Sequence, residues 1–118
     1  MDKIFNEENA SKKIRRCLTY LGFNYSNIGT IYFQEVLEMF LADPKLIHSM
    51  TNSIFAMLAS KYNIANVRNI ERDIRTAIKR AYDQGLLKTI SCFSNTRPQI
   101  KQLACYLFDY FTEFSYAI

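Results

Sequence analysis

The sequence predicts an all-α fold, a compact bundle of about six helices. Nearly half of the 118 residues are hydrophobic, and only three glycines and two prolines are available for turns, which favours helices over hairpins. Apolar residues also recur at the spacing that gathers them on one face of a helix. A chain of this length ordinarily forms one domain. We therefore expect one domain over residues 1–118, with the polar residues 1–10 flexible.

The first two helices are predicted from their apolar spacing. Ser11 is expected to cap the first helix and Gly22 to end it in a left-handed conformation. Thr30 is expected to open the second helix after a polar turn. The residues predicted to face the core are Ile14, Cys17, Leu18 and Leu21 in the first helix, and Ile31, Phe33, Val36, Leu37, Phe40 and Leu41 in the second.

The third segment spans Lys45 to Tyr62 and begins after Asp43-Pro44, which is typical of an N-cap followed by proline at the first helical position. The polar run Thr51-Asn52-Ser53 in its middle predicts a break or kink. A short turn then covers residues 63–66. The residues predicted to be buried are Leu46, Ile47, Met50, Ile54, Phe55 and Leu58.

The fourth helix, Val67 to Gln84, has two faces of opposite character, and Asn66 is expected to cap it. Its predicted core face is Val67, Ile70, Ile74, Ala77, Ile78 and Ala81, and its opposite face is Arg68, Arg72, Arg75, Thr76 and Lys79. An amphipathic helix that follows a helix and a tight turn predicts a central helix-turn-helix. The small side chain of Ala59 would let the two helices cross closely, although the turn lacks the glycine common in such motifs.

After Gly85, which is expected to end the fourth helix, Leu86 to Asn95 is predicted to be a short helical or irregular piece. Arg97-Pro98 then starts the last helix, whose predicted core face is Ile100, Leu103, Ala104, Leu107, Phe108, Phe111 and Phe114. The aromatic residues Tyr106, Tyr110, Phe114 and Tyr116 form a candidate subunit interface, because aromatic side chains are enriched in such contacts. Tyrosines that simply cover the core are the other interpretation.

The net charge of +4 is concentrated in one stretch. Residues 56–88 carry seven lysines and arginines against three acidic residues, whereas the rest of the chain carries eight of each. This excess indicates a local surface for a polyanion.

Metal and redox sites are not expected. The three cysteines, Cys17, Cys92 and Cys105, include no C-x-x-C spacing, and we expect buried free thiols. The single histidine, His48, has no Cys, Asp or Glu at i+3 or i+4, so the sequence predicts no metal site and no cofactor.

Catalysis and membrane insertion are not expected either. Glu35 and Glu38 could form a carboxylate pair, but we expect them on a solvated helix face, and the sequence predicts no catalytic residue and no enzyme. No apolar run has the length of a membrane span and no signal pattern opens the chain. A cytoplasmic protein with no membrane partner is expected.

The sequence IERDIRTAI at Ile70 to Ile78, followed by Ala81-Tyr82 and Gly85, resembles the recognition helix of the sporulation master response regulator of Gram-positive endospore formers. The similarity to that family's C-terminal effector domain covers roughly residues 10–111. Its further matches are Leu21-Gly22, Gly29 with Tyr32 and Glu35, Asp43, Ser49-Met50-Thr51, and Ala59 to Asn63. The resemblance implies a six-helix fold, a helix-turn-helix and duplex DNA as the partner. By position, it implies base or phosphate contacts from Asn69, Glu71, Arg72, Arg75 and Thr76.

Some positions depart from that family. Asn69 replaces an arginine and Thr76 a histidine, so the DNA sequence that is read should differ. Ala56 replaces a helix-breaking proline, the turn is one residue longer, and the loop between Phe93 and Arg97 is shorter. The chain shows no phosphate-accepting receiver domain, so phosphorylation of a fused receiver is not expected to be the switch if Met1 is the natural start.

Sequence-specific duplex binding is therefore the predicted function, as a transcription regulator that places residues 67–84 in the major groove. The predicted base readers are Arg68, Asn69, Glu71, Arg72, Arg75 and Thr76, and the predicted phosphate contacts are Lys61, Lys79, Arg80, Lys88 and Arg97. Glu71 has a second interpretation as an ion-pair partner of Arg75.

The expected partners are double-stranded DNA, a second copy of the chain as a homodimer or tandem assembly on DNA, and RNA polymerase. The alternative function is a protein-interaction module of the same fold that has lost specific DNA binding and regulates a partner.

Overall fold

The structure, a computed structural model, describes the backbone of residues 7–117 and the side chains of residues 9–113. Five α-helices and no strand occur within residues 7–117: α1 (Glu7–Tyr20), α2 (Ile28–Ala42), α3 (Ala56–Lys61), α4 (Val67–Asp83) and α5 (Ile100–Ala117). The all-α class is confirmed, but the expected number of about six helices is wrong. Within the same residues, no helix has the length and apolar character that crossing a bilayer would require.

Two predicted segments do not form continuous α-helices. The third segment is a 3₁₀-helix at Pro44–Ser49, a π-helical turn at Met50–Phe55 and then α3, so the predicted break at Thr51-Asn52-Ser53 is confirmed. The segment after Gly85 contains only the short 3₁₀ turns Leu86–Thr89 and Ser91–Phe93. The extended backbone of Ile90, with φ −77° and ψ 124°, separates these two turns and prevents a sixth helix.

The helix starts differ from the predicted ones at the first two helices. Residues 7–10, which we expected to be flexible with the rest of residues 1–10, belong to α1; residues 1–6 lie outside the described residues. Ser11 is therefore inside α1 instead of capping it, and its hydroxyl donates to the Glu38 carboxylate. Asn27, not Thr30, precedes α2, and the Asn27 carbonyl accepts from the Thr30 amide at 3.0 Å.

Left-handed residues end α1 and α3 in the same way. Gly22 has φ +101°, and the Phe23 amide donates to the Leu18 carbonyl at 2.9 Å. After α3, Asn63 has φ +60° and the Ile64 amide donates to Ala59 at 2.8 Å. Both are Schellman motifs, and asparagine tolerates the left-handed conformation better than other non-glycine residues. Asn63 thus supplies the turn that the missing glycine would have made.

The core forms around α2, which packs against α1, α4 and α5. Phe40 of α2 stacks on Phe108 of α5 with ring centroids 4.4 Å apart. The largest fully buried side chains are Phe33, Ile14, Leu18, Leu37, Ile54, Leu58, Ile70, Ile74, Ile78, Leu87, Leu103 and Leu107. Almost all of them fall on the predicted apolar faces, because burial of those faces is the main favourable term in folding.

The crossing of α2 over α4 depends on Gly29. A Cβ atom placed on Gly29 would lie 1.9 Å from the Asp73 carbonyl oxygen and 3.1 Å from the Ala77 Cβ. Real Cβ atoms do not approach backbone oxygen this closely, so only glycine allows the two helix backbones to meet here.

We expect Gly29→Ala to destabilise the protein by about 3 kcal/mol, because the added methyl group must push α2 away from α4. The sign of the change in the free energy of unfolding distinguishes the two cases, because a glycine-to-alanine substitution in an unobstructed helix interior stabilises the protein by about 0.5–1 kcal/mol. Urea unfolding followed by circular dichroism measures the change. Gly85→Ala is the control: Gly85 has φ +108° with no atom within 4 Å of its added Cβ, so it should lose only the ~1–2 kcal/mol of left-handed strain. A Gly29→Ala protein as stable as wild type would contradict the close crossing.

Candidate nucleic-acid interface

The orientation of α4 is set at its start and along its buried side. The Asn66 side chain accepts a hydrogen bond from the Arg68 amide at 2.9 Å, as an N-cap residue does. The residues of α4 that are buried are Ile70, Ile74, Ala77, Ile78 and Ala81. Aliphatic burial on one side leaves the opposite side of the same helix in solvent.

We call this opposite side the α4 outer face; it consists of Arg68, Arg72, Arg75, Thr76 and Lys79, which are all exposed. The side chains of Arg72, Arg75 and Lys79 are 62%, 56% and 59% exposed. The predicted exposure of these five residues on the side of α4 opposite the core is thus confirmed. Asn69 lies at the edge of this face and is half-buried.

Acidic neighbours contact three of these cations. Arg75 pairs with the Oε2 atom of Glu71 at 3.2 Å, and Lys79 pairs with Asp83 at 3.3 Å. Arg72 lies 3.5 Å from an Asp73 oxygen. Exposed pairs of this kind contribute about 0–1 kcal/mol, so a phosphate or a base can replace the carboxylate at little cost. Arg68 has no side-chain partner among the described residues.

The predicted phosphate contacts do not lie on one surface. Arg80 donates to the Asn27 side chain at 2.7 Å and so points towards the start of α2. Lys88 lies over the Tyr82 ring, 5.2 Å from its centroid. Lys79 belongs to the α4 outer face, and Arg97 is exposed near the start of α5.

Lys61 is held by Glu35, and this contact corrects our expectation for the two glutamates of α2. The Lys61 ammonium donates to Glu35 at 2.6 Å, and the Tyr62 hydroxyl donates to the other carboxylate oxygen. The Glu35 side chain is only 15% exposed. Glu38 is likewise half-buried and accepts from the Gln34 amide at 3.0 Å. The prediction of a solvated face was wrong because these residues meet side chains from α1 and the end of α3, which lie far away in sequence.

A cleft of about 680 Å³ borders α4 on its Glu71 and Arg75 side. Arg97 and Lys101 line it near the start of α5, and the segment 47–52 lines the other wall. Lys101 and this segment were not among the predicted site residues. Periodicity gave no sign of them, because the cleft is assembled from three parts of the chain that are distant in sequence.

The candidate subunit interface is partly visible. Tyr106 and Tyr110 are 39% and 43% exposed. The Tyr106 ring packs edge-on against Phe93 at 5.6 Å. The side chains of Phe114 and Tyr116 lie outside the described residues.

The cysteines correct one expectation. Cys17 and Cys105 are half-buried free thiols, but Cys92 is exposed on a short 3₁₀ turn. Burial raises the pKa of the Cys17 thiol to about 11.

In the part of the chain that the structure describes, no three His, Cys, Asp or Glu side chains are grouped so that they could hold a metal ion.

An exposed cationic helix on a helical domain is typical of DNA-binding regulatory proteins. Residues 14–104 match the family described as "Sporulation initiation factor Spo0A C terminal". The match covers well over half of the chain, so the protein belongs to this family, the DNA-binding effector domain of a sporulation transcription regulator. The resemblance seen in the sequence is thereby confirmed. The alternative of an interaction module without DNA binding is not favoured.

The contact between Tyr62 and Glu35 gives a prediction. The hydrogen bond to the Glu35 carboxylate, together with burial, raises the pKa of Tyr62 to about 12, compared with about 10 for an ordinary tyrosine. A raised pKa means that this contact stabilises the fold fully below about pH 10 and that its contribution is lost as the pH rises towards 12.

We expect Glu35→Gln to lower the Tyr62 pKa towards 10, because the charged acceptor is removed. Titration of ¹³C-labelled tyrosine by NMR, with Tyr62→Phe used to assign the signal, measures the change. Glu38→Gln is the matched control and should leave the pKa close to the wild-type value, since Glu38 is the smallest of the causes that raise it. A wild-type Tyr62 that titrates near pH 10 would show that the contact does not form.

Proposed function

We propose that this protein regulates transcription by sequence-specific binding to duplex DNA, with α3 and α4 acting as a helix-turn-helix and the N-terminal half of α4 in the major groove. The observation that carries the proposal is the α4 outer face: a continuous exposed cationic surface on a helix whose other side is fully buried. Membership of a DNA-binding family supports the same function.

The support behind α4 suits such a role. Asn63 turns the chain after α3, Asn66 caps α4, and Gly29 sets the distance to α2. Reading groups placed on a rigid, well-packed element hold their geometry better than groups on a loop. Ala59, near the end of α3, is buried. Its small side chain allows two helices to cross closely.

Arg68 and Arg72 are the proposed guanine readers, because a guanidinium can donate two hydrogen bonds to guanine O6 and N7. Asn69 can pair with adenine. Thr76 can form a hydrogen bond to a base edge, or it can contact the methyl group of a thymine. A good bidentate contact contributes about 1–3 kcal/mol of discrimination. Asn69 and Thr76 depart from the family pattern, so we expect an operator that differs at those positions.

Glu71 can read a cytosine amino group without leaving Arg75. Its 3.2 Å contact with Arg75 is made by Oε2, and a carboxylate has a second oxygen, here Oε1, that can accept a further hydrogen bond. The Glu71 side chain is 38% exposed, so this oxygen can be reached from the groove. The ion pair then orients Arg75, which is itself a proposed base reader.

Lys61, Lys79, Arg80 and Lys88 are proposed to contact phosphates and so to set affinity and register. Each has a partner within the protein that a phosphate must replace or join. The Lys79 pair, with both side chains close to 60% exposed, is the easiest to exchange.

A single domain of this size gives limited specificity, so we propose that two copies bind together, as a homodimer or in tandem on adjacent sites. The exposed Tyr106 and Tyr110 of α5 are the candidate contact, together with Phe114 and Tyr116. RNA polymerase is a further proposed partner of the DNA-bound protein.

We expect Arg72→Ala to lose about 1–3 kcal/mol of preference for a selected site over random duplex, because it removes a bidentate base contact. Selection of bound duplexes from a random pool supplies the site, and fluorescence anisotropy measures both affinities. Lys79→Ala, which removes a similarly exposed cation of the α4 outer face, should weaken both duplexes equally. If Arg72→Ala binds the selected site as tightly as wild type, α4 is not the reading helix.

We expect Glu71→Gln to relax the preference at one base position by about 1–3 kcal/mol. The loss of a negative charge next to DNA should at the same time strengthen binding to random duplex. Repeating the selection with the variant identifies the relaxed position. An unchanged base preference, with all duplexes bound more tightly, would mean that Glu71 serves only as the ion-pair partner of Arg75.

A further inference from the structure

The cleft beside α4 concentrates positive charge at one place. Its lining includes the cations Arg75, Arg97 and Lys101, and Glu71 is the single carboxylate among the described residues that line it. Because Glu71 is already paired with Arg75, the charges of Arg97 and Lys101 are not balanced within the cleft.

Arg97 and Lys101 also differ from the cations in a second cleft. Both are exposed and have no side-chain partner among the described residues. In the cleft between α1, α2 and α3, Arg15 lies over the Tyr25 ring at 4.3 Å and Lys61 is bound to Glu35. An anion that binds in that cleft must therefore replace or join a contact within the protein, whereas Arg97 and Lys101 have no such contact among the described residues.

The opposite wall supplies neutral hydrogen-bond donors. Thr51 and Asn52 lie on the π-helical turn, are exposed, and have no side-chain partner among the described residues. Ser49 differs from them, since its hydroxyl is hydrogen-bonded to Ser53 at 2.9 Å. Hydroxyl and amide donors beside arginine and lysine are the usual set that binds phosphate oxygens in DNA complexes.

We propose that this cleft binds the phosphates of one DNA strand as that strand leaves the major groove. Arg97 and Lys101 provide the charged contacts, and Thr51 and Asn52 provide neutral ones. The cleft is continuous with the α4 outer face because Arg75 belongs to both. The inference rests on the proposed function, since α4 in the groove brings the flanking backbone to this position.

The physical consequence is a second anchor that is separate from base reading. Arginine can hold a phosphate through two parallel hydrogen bonds, whereas lysine acts as a point charge. Contacts of this kind fix register and add affinity for every sequence alike. They also release counterions, so each phosphate contact contributes about 0.9 to the slope of log affinity against log salt.

The test compares the Arg97→Ala/Lys101→Ala double variant with wild type over a range of salt concentrations. We expect the salt slope to fall by about 2 and the affinities for selected and random duplexes to fall by equal factors. Lys12→Ala/Arg16→Ala on α1 is the matched control, since it removes two exposed cations that also have no described partner. The control should keep a slope close to that of wild type. All four residues are exposed, and circular dichroism checks that both variants remain folded.

Thr51→Ala/Asn52→Ala should weaken binding to both duplexes by a smaller equal factor without changing the salt slope, because these donors are neutral.

The proposal is overturned if the Arg97→Ala/Lys101→Ala variant keeps the wild-type salt slope, or if the slope of the α1 control falls by as much. Arg72→Ala, measured in parallel, separates this result from the proposed function. If it loses site preference while the double variant behaves as wild type, only the cleft proposal fails; if it keeps site preference, the assignment of α4 fails.

Discussion

The approach of Gly29 to the Asp73 carbonyl is the contact on which the rest of the molecule depends. It sets the distance between α2 and α4, and α2 is also the helix against which α1 and α5 pack. At this distance the apolar side of α4 is sealed within the core, and Ala77 fits beside the glycine. The orientation of every other α4 side chain follows, because a helix with one buried face cannot rotate without exposing it.

Because this orientation is fixed, the cations of α4 lie in two different environments. Those opposite the core, such as Arg68 and Arg72, face solvent, where any ion pair is weak and exchangeable. Arg80 lies nearer to α2 and is bound by Asn27. Net charge alone would not separate these cases, since each residue contributes one positive charge. The difference lies in whether a neighbouring element reaches the side chain.

The local structure could largely be read from the residues. The caps at Asn66 and Asp43, the left-handed Gly22, the end of α4 before Gly85, and the apolar faces of the five helices within residues 9–113 were predicted correctly. Three local features were missed: the left-handed Asn63, because glycine was the expected turn residue, the start of α1 before Ser11, and the start of α2 before Thr30. The prediction of a sixth helix was also wrong. Ile90 adopts an extended conformation within a short apolar stretch that could have formed a helix.

The sequence by itself determined which residues share a face of each helix, where the positive charge concentrates, and to which family the chain belongs. Shared faces follow from helical periodicity, the charge excess follows from the residue types in one stretch, and the family follows from residues matched over 14–104. Only the tertiary structure decided that Lys61 is held by Glu35, that Arg80 is bound by Asn27, and that Arg97 and Lys101 share a cleft with Arg75. Each of these depends on which helices pack together and at what distance. That is set by contacts such as the one at Gly29, between residues far apart in the chain.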